Sequence, residues 1–463
     1  MYLTPRMNFP FPPAGGDRQQ KIAVVGSGIS GLASAWMLSR IHHVSLFEKN
    51  DYIGGHSNTI DLELGHMSFP VDTGFIVYNP QNYPNLVALF DILDVPTEPT
   101  EMSFSVSLDD GWMEYSGTGL TGLLAQKKNL MRPQFWRMTR DILKFYRHCS
   151  DYMKLDDYQQ ISLGTFLKKE NFSDSFINYH LAPMGAAIWS CTSEDILNYP
   201  LQAFLSFFQN HGLTQLSNRP EWRTVKGGSR EYINRIIKPF SNNLYLNTPV
   251  RKIRRLGNKV LVCSDRGDEI FDHVIMAGHA DDSLALLQDA TPQERDILSA
   301  FSYQDNDVWV HSDLSLMPKR QAAWASWNYL GSRANRDGSS LCVTYWMNKL
   351  QSLPTDRPVL VTLNPDREIQ AGLTHRKISY RHPLFDQRAL DNQKRLWSIQ
   401  GQQNTWFCGA YFGAGFHEDG LQSGLAVAEL LSGVPRPWWR PNQNSRIGLA
   451  EELTSPDREA VAL

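Results

Sequence analysis

The chain has 463 residues, 42% of them hydrophobic, and sets 45 Lys and Arg against 48 Asp and Glu for a formal net charge of −3 at pH 7. That length fills two large domains with extensive cores, and a near-neutral balance without long like-charge blocks argues against a nucleic-acid partner. The five cysteines, Cys149, Cys191, Cys263, Cys342 and Cys408, are too far apart for a CxxC pair. They exclude a thiolate metal or redox pair and fit a reducing, cytoplasmic setting. The aromatic load is high at 13 Trp, 17 Tyr and 22 Phe. It suits a large apolar pocket or a flat ligand ring as well as an ordinary core.

Residues 1–20 carry Pro5, Pro10, Pro12, Pro13, Gly15 and Gly16 and read as a flexible tail without a signal-length apolar run. No stretch reaches the ~18 uninterrupted apolar residues of a spanning helix. Lys21–Val25 is a short apolar strand, followed at once by Gly26-Ser27-Gly28-Ile29-Ser30-Gly31 and a helix over Leu32–Leu38. In such a turn the first glycine permits the bend, and the second lets backbone approach a pyrophosphate. The third allows close helix packing, and the amides at the helix start face the phosphates. A second strand, His43–Phe47, ends in Glu48, 17 positions after Gly31, where a carboxylate can hold ribose hydroxyls and disfavours a 2′-phosphate. Lys49 and then the doublet Gly54-Gly55, followed by His56, come next.

From Met131 to Asp151, Phe135, Met138, Ile142, Phe145 and Cys149 recur at helical spacing opposite Arg137, Arg140, Lys144 and Arg147. Two readings stay open for this basic amphipathic helix: a surface helix with its apolar face in the core, or one that meets an anionic membrane. Trp222–Ser229 contains Gly227-Gly228 and enters a helix over residues 230–238. Pro249–Ile253, with Val250, and Val274–His279 are strand-like. Near the end, strand-like Trp406–Cys408 leads through Gly409-Ala410-Tyr411-Phe412-Gly413-Ala414-Gly415-Phe416-His417-Glu418-Asp419-Gly420-Leu421-Gln422-Ser423-Gly424 into a helix over residues 425–431. Two distant glycine-rich contacts suit FAD better than NAD. The Trp438-Trp439 pair beyond the helix suits either a lipid interface or cover for a domain edge.

The N-terminal fingerprint, the glycine doublet and the Gly409–Gly424 segment together resemble the flavin-containing amine oxidase and phytoene desaturase superfamily over residues 21 to about 433. Asp72-Thr73-Gly74-Phe75-Ile76-Val77-Tyr78-Asn79, Ala187-Ile188-Trp189-Ser190 and Phe416-His417-Glu418-Asp419-Gly420 further resemble a bacterial group of FAD-binding oxidoreductases that accompany cyclopropane-fatty-acid synthases. The resemblance implies an α/β fold, in which a Rossmann-like FAD-binding domain (21–80, 220–285 and 397–433) interleaves with an α+β substrate domain (81–219 and 286–396), and 434–463 form a C-terminal tail. It implies one FAD and redox chemistry at flavin N5, with an acyl chain as the sharper substrate.

Carried across, Gly26, Ser27, Gly28, Ile29, Ser30 and Gly31 hold the pyrophosphate, Glu48 and Lys49 the adenosine ribose side, and Gly54, Gly55 and His56 the second phosphate contact. The Val250 backbone meets adenine, and Gly409, Gly420, Leu421 and Ser423 lie at the flavin. Two departures stand out: His56 replaces the usual arginine, and Ala410 the usual acid, with Glu418 and Asp419 as substitutes. Amine oxidases of the superfamily carry a lysine on a strand that corresponds to Tyr303–His311, which has none. Tyr411 and His417 are catalytic candidates, and Trp189, Phe412 and Phe416 pocket candidates, each with core packing as the alternative. His311, His375 and His382 lack metal-ligand spacing, and no GxSxG elbow follows a strand. Three functions stay open: redox chemistry on an apolar or acyl substrate, oxidation of an amine by O2, and a flavin-bearing accessory role bound to lipid or a partner. Oligomeric state is not legible.

Overall fold

The computed structural model describes residues 19–155, 158, 161–215, 219–332 and 341–449. Most of the expected N-terminal tail and residues 450–463 of the C-terminal one lie outside the described residues. The chain forms two compact units, Met1–Gly55, Asn234–Leu298 and Arg395–Leu463 in the first, His56–Ile233 and Ser299–Lys394 in the second.

This division departs from the expected boundaries. Residues 56–80 and 220–233 belong to the second unit. The Thr59–Leu64 and Met67–Asp72 strands pair only with each other, and Val77–Tyr78 joins Trp222–Val225 and Thr97–Thr100. Residues 286–298 belong to the first unit, where Glu294 of helix Pro292–Leu298 accepts from Arg255 at 2.6 Å.

The first unit is built on a five-stranded parallel sheet in the order Leu244–Tyr245, His43–Phe47, Lys21–Val25, His273–Met276, Thr405–Phe407. Its strands are short apolar runs because both faces are covered. Every residue of helix Ile29–Leu38 is buried, as a helix apolar all round must be. Helix His417–Ser432 packs on it and takes in Gly420 and Gly424, beginning three residues before Gly420. An antiparallel meander, Val250–Leu256, Lys259–Ser264 and Gly267–Phe271, completes the unit. Trp438 packs on Trp36 with ring centroids 6.1 Å apart, while Trp439 is exposed.

The second unit holds a seven-stranded sheet in the order Thr374–Leu384, Ser302–His311, Leu360–Leu363, Cys342–Trp346, Trp327–Gly331, Phe104–Leu108, Met113–Ser116. Only the Trp327–Gly331/Phe104–Leu108 pair is parallel. The amphipathic segment is helix Pro133–Tyr152, entered by a proline that tolerates the first turn and holds Arg132 extended. Phe135 and Met138 pack on Val106, Leu108, Met113 and Tyr115 of the sheet, and Phe145 on Phe172, Phe176 and Phe208. Its apolar face is therefore spent on the core and is not offered to a membrane. Among the described residues, no helix is long and apolar enough to cross a bilayer.

Candidate flavin site

In the first unit the residues of the glycine turn have separate duties. Gly26 has φ +106°, a region that L side chains avoid, and its amide donates to the Phe47 carbonyl at 2.9 Å. A β-carbon at Gly31 would lie 2.1 Å from the Gly26 carbonyl oxygen, so the helix can start this close to the strand only on glycine. Gly28 is different. It has an ordinary φ of −63°, and a β-carbon there would meet no protein atom within 4 Å. The bare backbone at Gly28 fronts open space at a helix N-terminus, the cradle an anionic diphosphate needs.

Ser27 locks the neighbouring pieces together. Its backbone N–H and hydroxyl both donate to Glu48 Oε2, at 3.0 and 2.6 Å, and its hydroxyl accepts from the Gly54 amide at 3.2 Å. Glu48 Oε1 accepts from the Asn50 amide at 2.9 Å. A buried carboxylate needs such donors, and its remaining lone pairs are available to hydroxyls. The Thr248 amide donates to the Glu48 carbonyl at 2.8 Å, bringing the start of the Val250 strand beside the acid. Gly55, at φ +59°, backs onto Gly28. Lys49 points to the surface and faces Asp282 at 3.8 Å.

At the other end of the chain the Gly409 amide donates to the Ser423 hydroxyl at 3.0 Å, tying the last strand to helix His417–Ser432. Leu421 is fully buried, Tyr411 and Phe412 are buried against each other, and Phe412 also packs on Trp397. His417, half-buried, opens the helix. The two acids proposed as substitutes are engaged locally: Glu418 accepts from Gln422, and Asp419 accepts from the Phe416 amide and pairs with Arg446 at 2.6 Å.

In the second unit His56 is half-buried, with its Nε2 closed off from solvent and its ring 4.9 Å from Tyr380 and 5.1 Å from His382. Burial pushes its pKa down to about 4, so it is neutral at pH 7, where the sequence resemblance leads one to expect a charged arginine. Strand Ser302–His311 carries two fully buried polar residues, His311 and Asn306, and the Asn306 amide donates to His382 Nδ1 at 3.0 Å. Tyr380 Oη accepts from Asn58 at 3.0 Å and shares a hydrogen bond with Thr73 at 2.7 Å.

A neighbouring group went unread in the sequence. The buried Asp72 carboxylate accepts from Thr59, from the Ser229 amide and hydroxyl, and from Gln351. Ser229 follows Gly227 and Gly228, both at positive φ, and this turn brings the Ser229 amide and hydroxyl onto the acid. Trp189 packs against Tyr199, Phe204 and Phe207, an aromatic core contact. His311 bonds Thr362 and the Asp313 amide, and His375 bonds Ser312. Among the described residues one His/Asp group clusters, His279, Asp281 and Asp282, at the start of helix Ala280–Leu286, where acids favour the helix dipole.

Comparison with known proteins agrees with this layout. A flavin-containing monoamine oxidase, by its name, AofH of Mycobacterium tuberculosis (strain CDC 1551 / Oshkosh), is 30% identical over 267 residues, 55% of this chain and 56% of its own. The 4,4'-diapophytoene desaturase (4,4'-diaponeurosporene-forming) of Staphylococcus aureus (strain MRSA252) is 28% identical over 187 residues, 35% of each chain. The chain thus spans about half the length of the first relative and about a third of the second. The crystal structure of the CLA-producing fatty acid isomerase from P. acnes shares the fold, with a TM-score of 0.61 at 15% identity over 89% of this chain and 98% of that one. Residues 29–304, more than half of the sequence, match flavin containing amine oxidoreductase, and the chain belongs to that family.

Proposed function

We propose that the protein is an FAD-dependent oxidoreductase whose substrate is apolar, an unsaturated or modified fatty acyl chain being the substrate class. The observation that carries the cofactor reading is the open backbone at Gly28 beside a Glu48 held by Ser27. In this reading Gly26, Gly28 and Gly31 cradle the pyrophosphate, Glu48 holds the ribose, the Gly54-Gly55 amides make the second phosphate contact, and the Val250 backbone meets adenine. Amides at the start of helix His417–Ser432 are placed to stabilise negative charge on a ring. Bound FAD supplies the two-electron chemistry, taking or returning a hydride. Because His56 is neutral, phosphate charge is met by backbone N–H groups and the dipole of helix Ile29–Leu38.

The apolar substrate is supported by strand Ser302–His311, which offers buried Asn306 and no lysine, and by local likeness to a carotenoid desaturase. The likeness to AofH favours a second reading, oxidation of an amine by O2. Anaerobic mixing of the purified flavoprotein with unsaturated fatty acids, acyl phospholipids or amines separates the two. Bleaching of the flavin, or a shifted double bond by mass spectrometry, with acyl lipids alone is the expected result. Bleaching by amines followed by rapid reoxidation in air would overturn the acyl reading.

A further inference from the structure

Six of the thirteen exposed large hydrophobic side chains among the described residues fall between 120 and 143: Leu120, Leu124, Leu130, Met131, Trp136 and Leu143. Isolated exposed apolar residues need no explanation, but such a concentration does. These are not the residues of the amphipathic face, which is buried; they occupy the short helix Leu120–Leu123, the turn Lys127–Met131 and the outer side of helix Pro133–Tyr152. Met131 is 81% and Leu120 76% exposed.

Along this stretch of chain the charge has one sign. Between Glu114 and Asp141 the chain has no acid, yet carries Lys127, Lys128, Arg132, Arg137 and Arg140. Lys127, Lys128, Arg137 and Arg140 are all exposed. Asp141 at the edge is buried, accepting from the Ser173 amide at 2.9 Å and pairing with Arg140. Trp136 is both fixed and exposed. Its indole N–H donates to the Leu130 carbonyl at 2.9 Å, which pins the Lys127–Met131 turn and leaves no unpaired donor on a ring that is 53% exposed. A ring whose polar atom is already satisfied can leave water at no hydrogen-bond cost.

We propose that this surface docks on an anionic lipid bilayer, with Leu130, Met131 and Trp136 entering the headgroup boundary and Lys127, Lys128 and Arg137 meeting phosphates. Apolar side chains ringed by cations of one sign fit that partner, since burial and lipid charge then act together. Docking here does not require the substrate to be a lipid, so failure of the acyl reading would leave it standing.

The test is co-sedimentation of the flavoprotein with phosphatidylcholine vesicles, with and without phosphatidylglycerol. The protein should sediment with the anionic vesicles and be partly released by salt. Met131→Ser with Trp136→Gln should weaken binding at least ~tenfold at any salt. Lys127→Gln, Lys128→Gln and Arg137→Gln together should remove most of the salt dependence. If the Trp136 variant fails to fold, Met131→Ser alone repeats the experiment. A native protein that stays in the supernatant, or either variant binding as the native protein does, would overturn the proposal. So would a dimer that Met131→Ser dissociates without any vesicle binding, which would give the surface to a second copy of the chain.

Discussion

Gly424 and Ser30 touch backbone to backbone: a β-carbon on Gly424 would lie 2.1 Å from the Ser30 carbonyl oxygen. The helix at the end of the chain therefore rests on the helix of the glycine turn with no side chain between them. Gly424→Ala should force the two apart and cost ~1–3 kcal/mol, read by urea unfolding, with flavin content falling in parallel. Gly28→Ala separates binding from folding, because its φ is ordinary and no protein atom lies near the added methyl. The flavin-free Gly28→Ala protein should match the native one within ~0.5 kcal/mol yet bind FAD far more weakly. Equal flavin occupancy in the Gly28→Ala protein would contradict the cradle.

Acid should unfold the protein through its buried histidines. Burial holds His56 and His311 down to about 4 and His180 to about 3. Below the unfolded value near 6.5, the unfolded chain takes up protons that the folded one refuses, so stability present above that pH is lost as it falls. Each histidine should lose on the order of 2 kcal/mol between pH 7 and 5. Asp72 works in the opposite direction. Its pKa is raised by burial to about 6, so the folded state holds a proton that the unfolded one has released, and about 1 kcal/mol returns over the same interval. Urea titrations should show a net loss toward pH 5, shallower in His311→Asn and steeper in Asp72→Asn. Parallel pH profiles for all three proteins would refute the assignment.

Arg255 is nearly buried and binds Glu294 with both terminal nitrogens, at 2.6 and 3.1 Å, while its Nε reaches Thr405 at 3.1 Å. It thereby joins the meander, helix Pro292–Leu298 and the edge strand Thr405–Phe407. Glu294→Ala would leave the buried guanidinium with the longer contact to the Asp289 carboxylate, at 3.5 Å, and the Thr405 hydroxyl, and should cost ~3 kcal/mol. Replacing both partners with apolar residues, Arg255→Met and Glu294→Leu, should recover much of that loss. Thermal melts of the single and double variants check this, and a double variant no more stable than Glu294→Ala would disprove it.

The glycine turn, its strand, its helix and Glu48 were legible because local sequence fixes them within some thirty residues. The hydrophobic period of Pro133–Tyr152 also named its buried face, at Phe135, Met138, Phe145 and Cys149. What covers that face was not legible, since a helical period does not distinguish a core from a bilayer. Asp72 was hidden for another reason: its partners Ser229 and Gln351 lie 157 and 279 residues away. The limits of the two compact units differ from the expected domain limits for a like reason, because short strands after Gly55 choose partners that spacing cannot announce. Much of the aromatic excess, at Trp189, Phe204, Phe207 and Phe208, turned out to pack together in the helical part of the second unit.

The interleaving of the first unit sets an order of assembly on the ribosome. Lys21–Val25, Glu48 and the doublet emerge early, but the sheet's edge strand and the Gly424 helix emerge only after residue 404. Until then helix Ile29–Leu38, apolar on every side, lacks the cover that makes it soluble. The second unit's long segment 56–233 is complete well before its own closing strands, so neither half can finish by itself. Flavin capture is thus a late event in the life of each molecule, and the nascent chain carries this helix without its final cover for most of its synthesis.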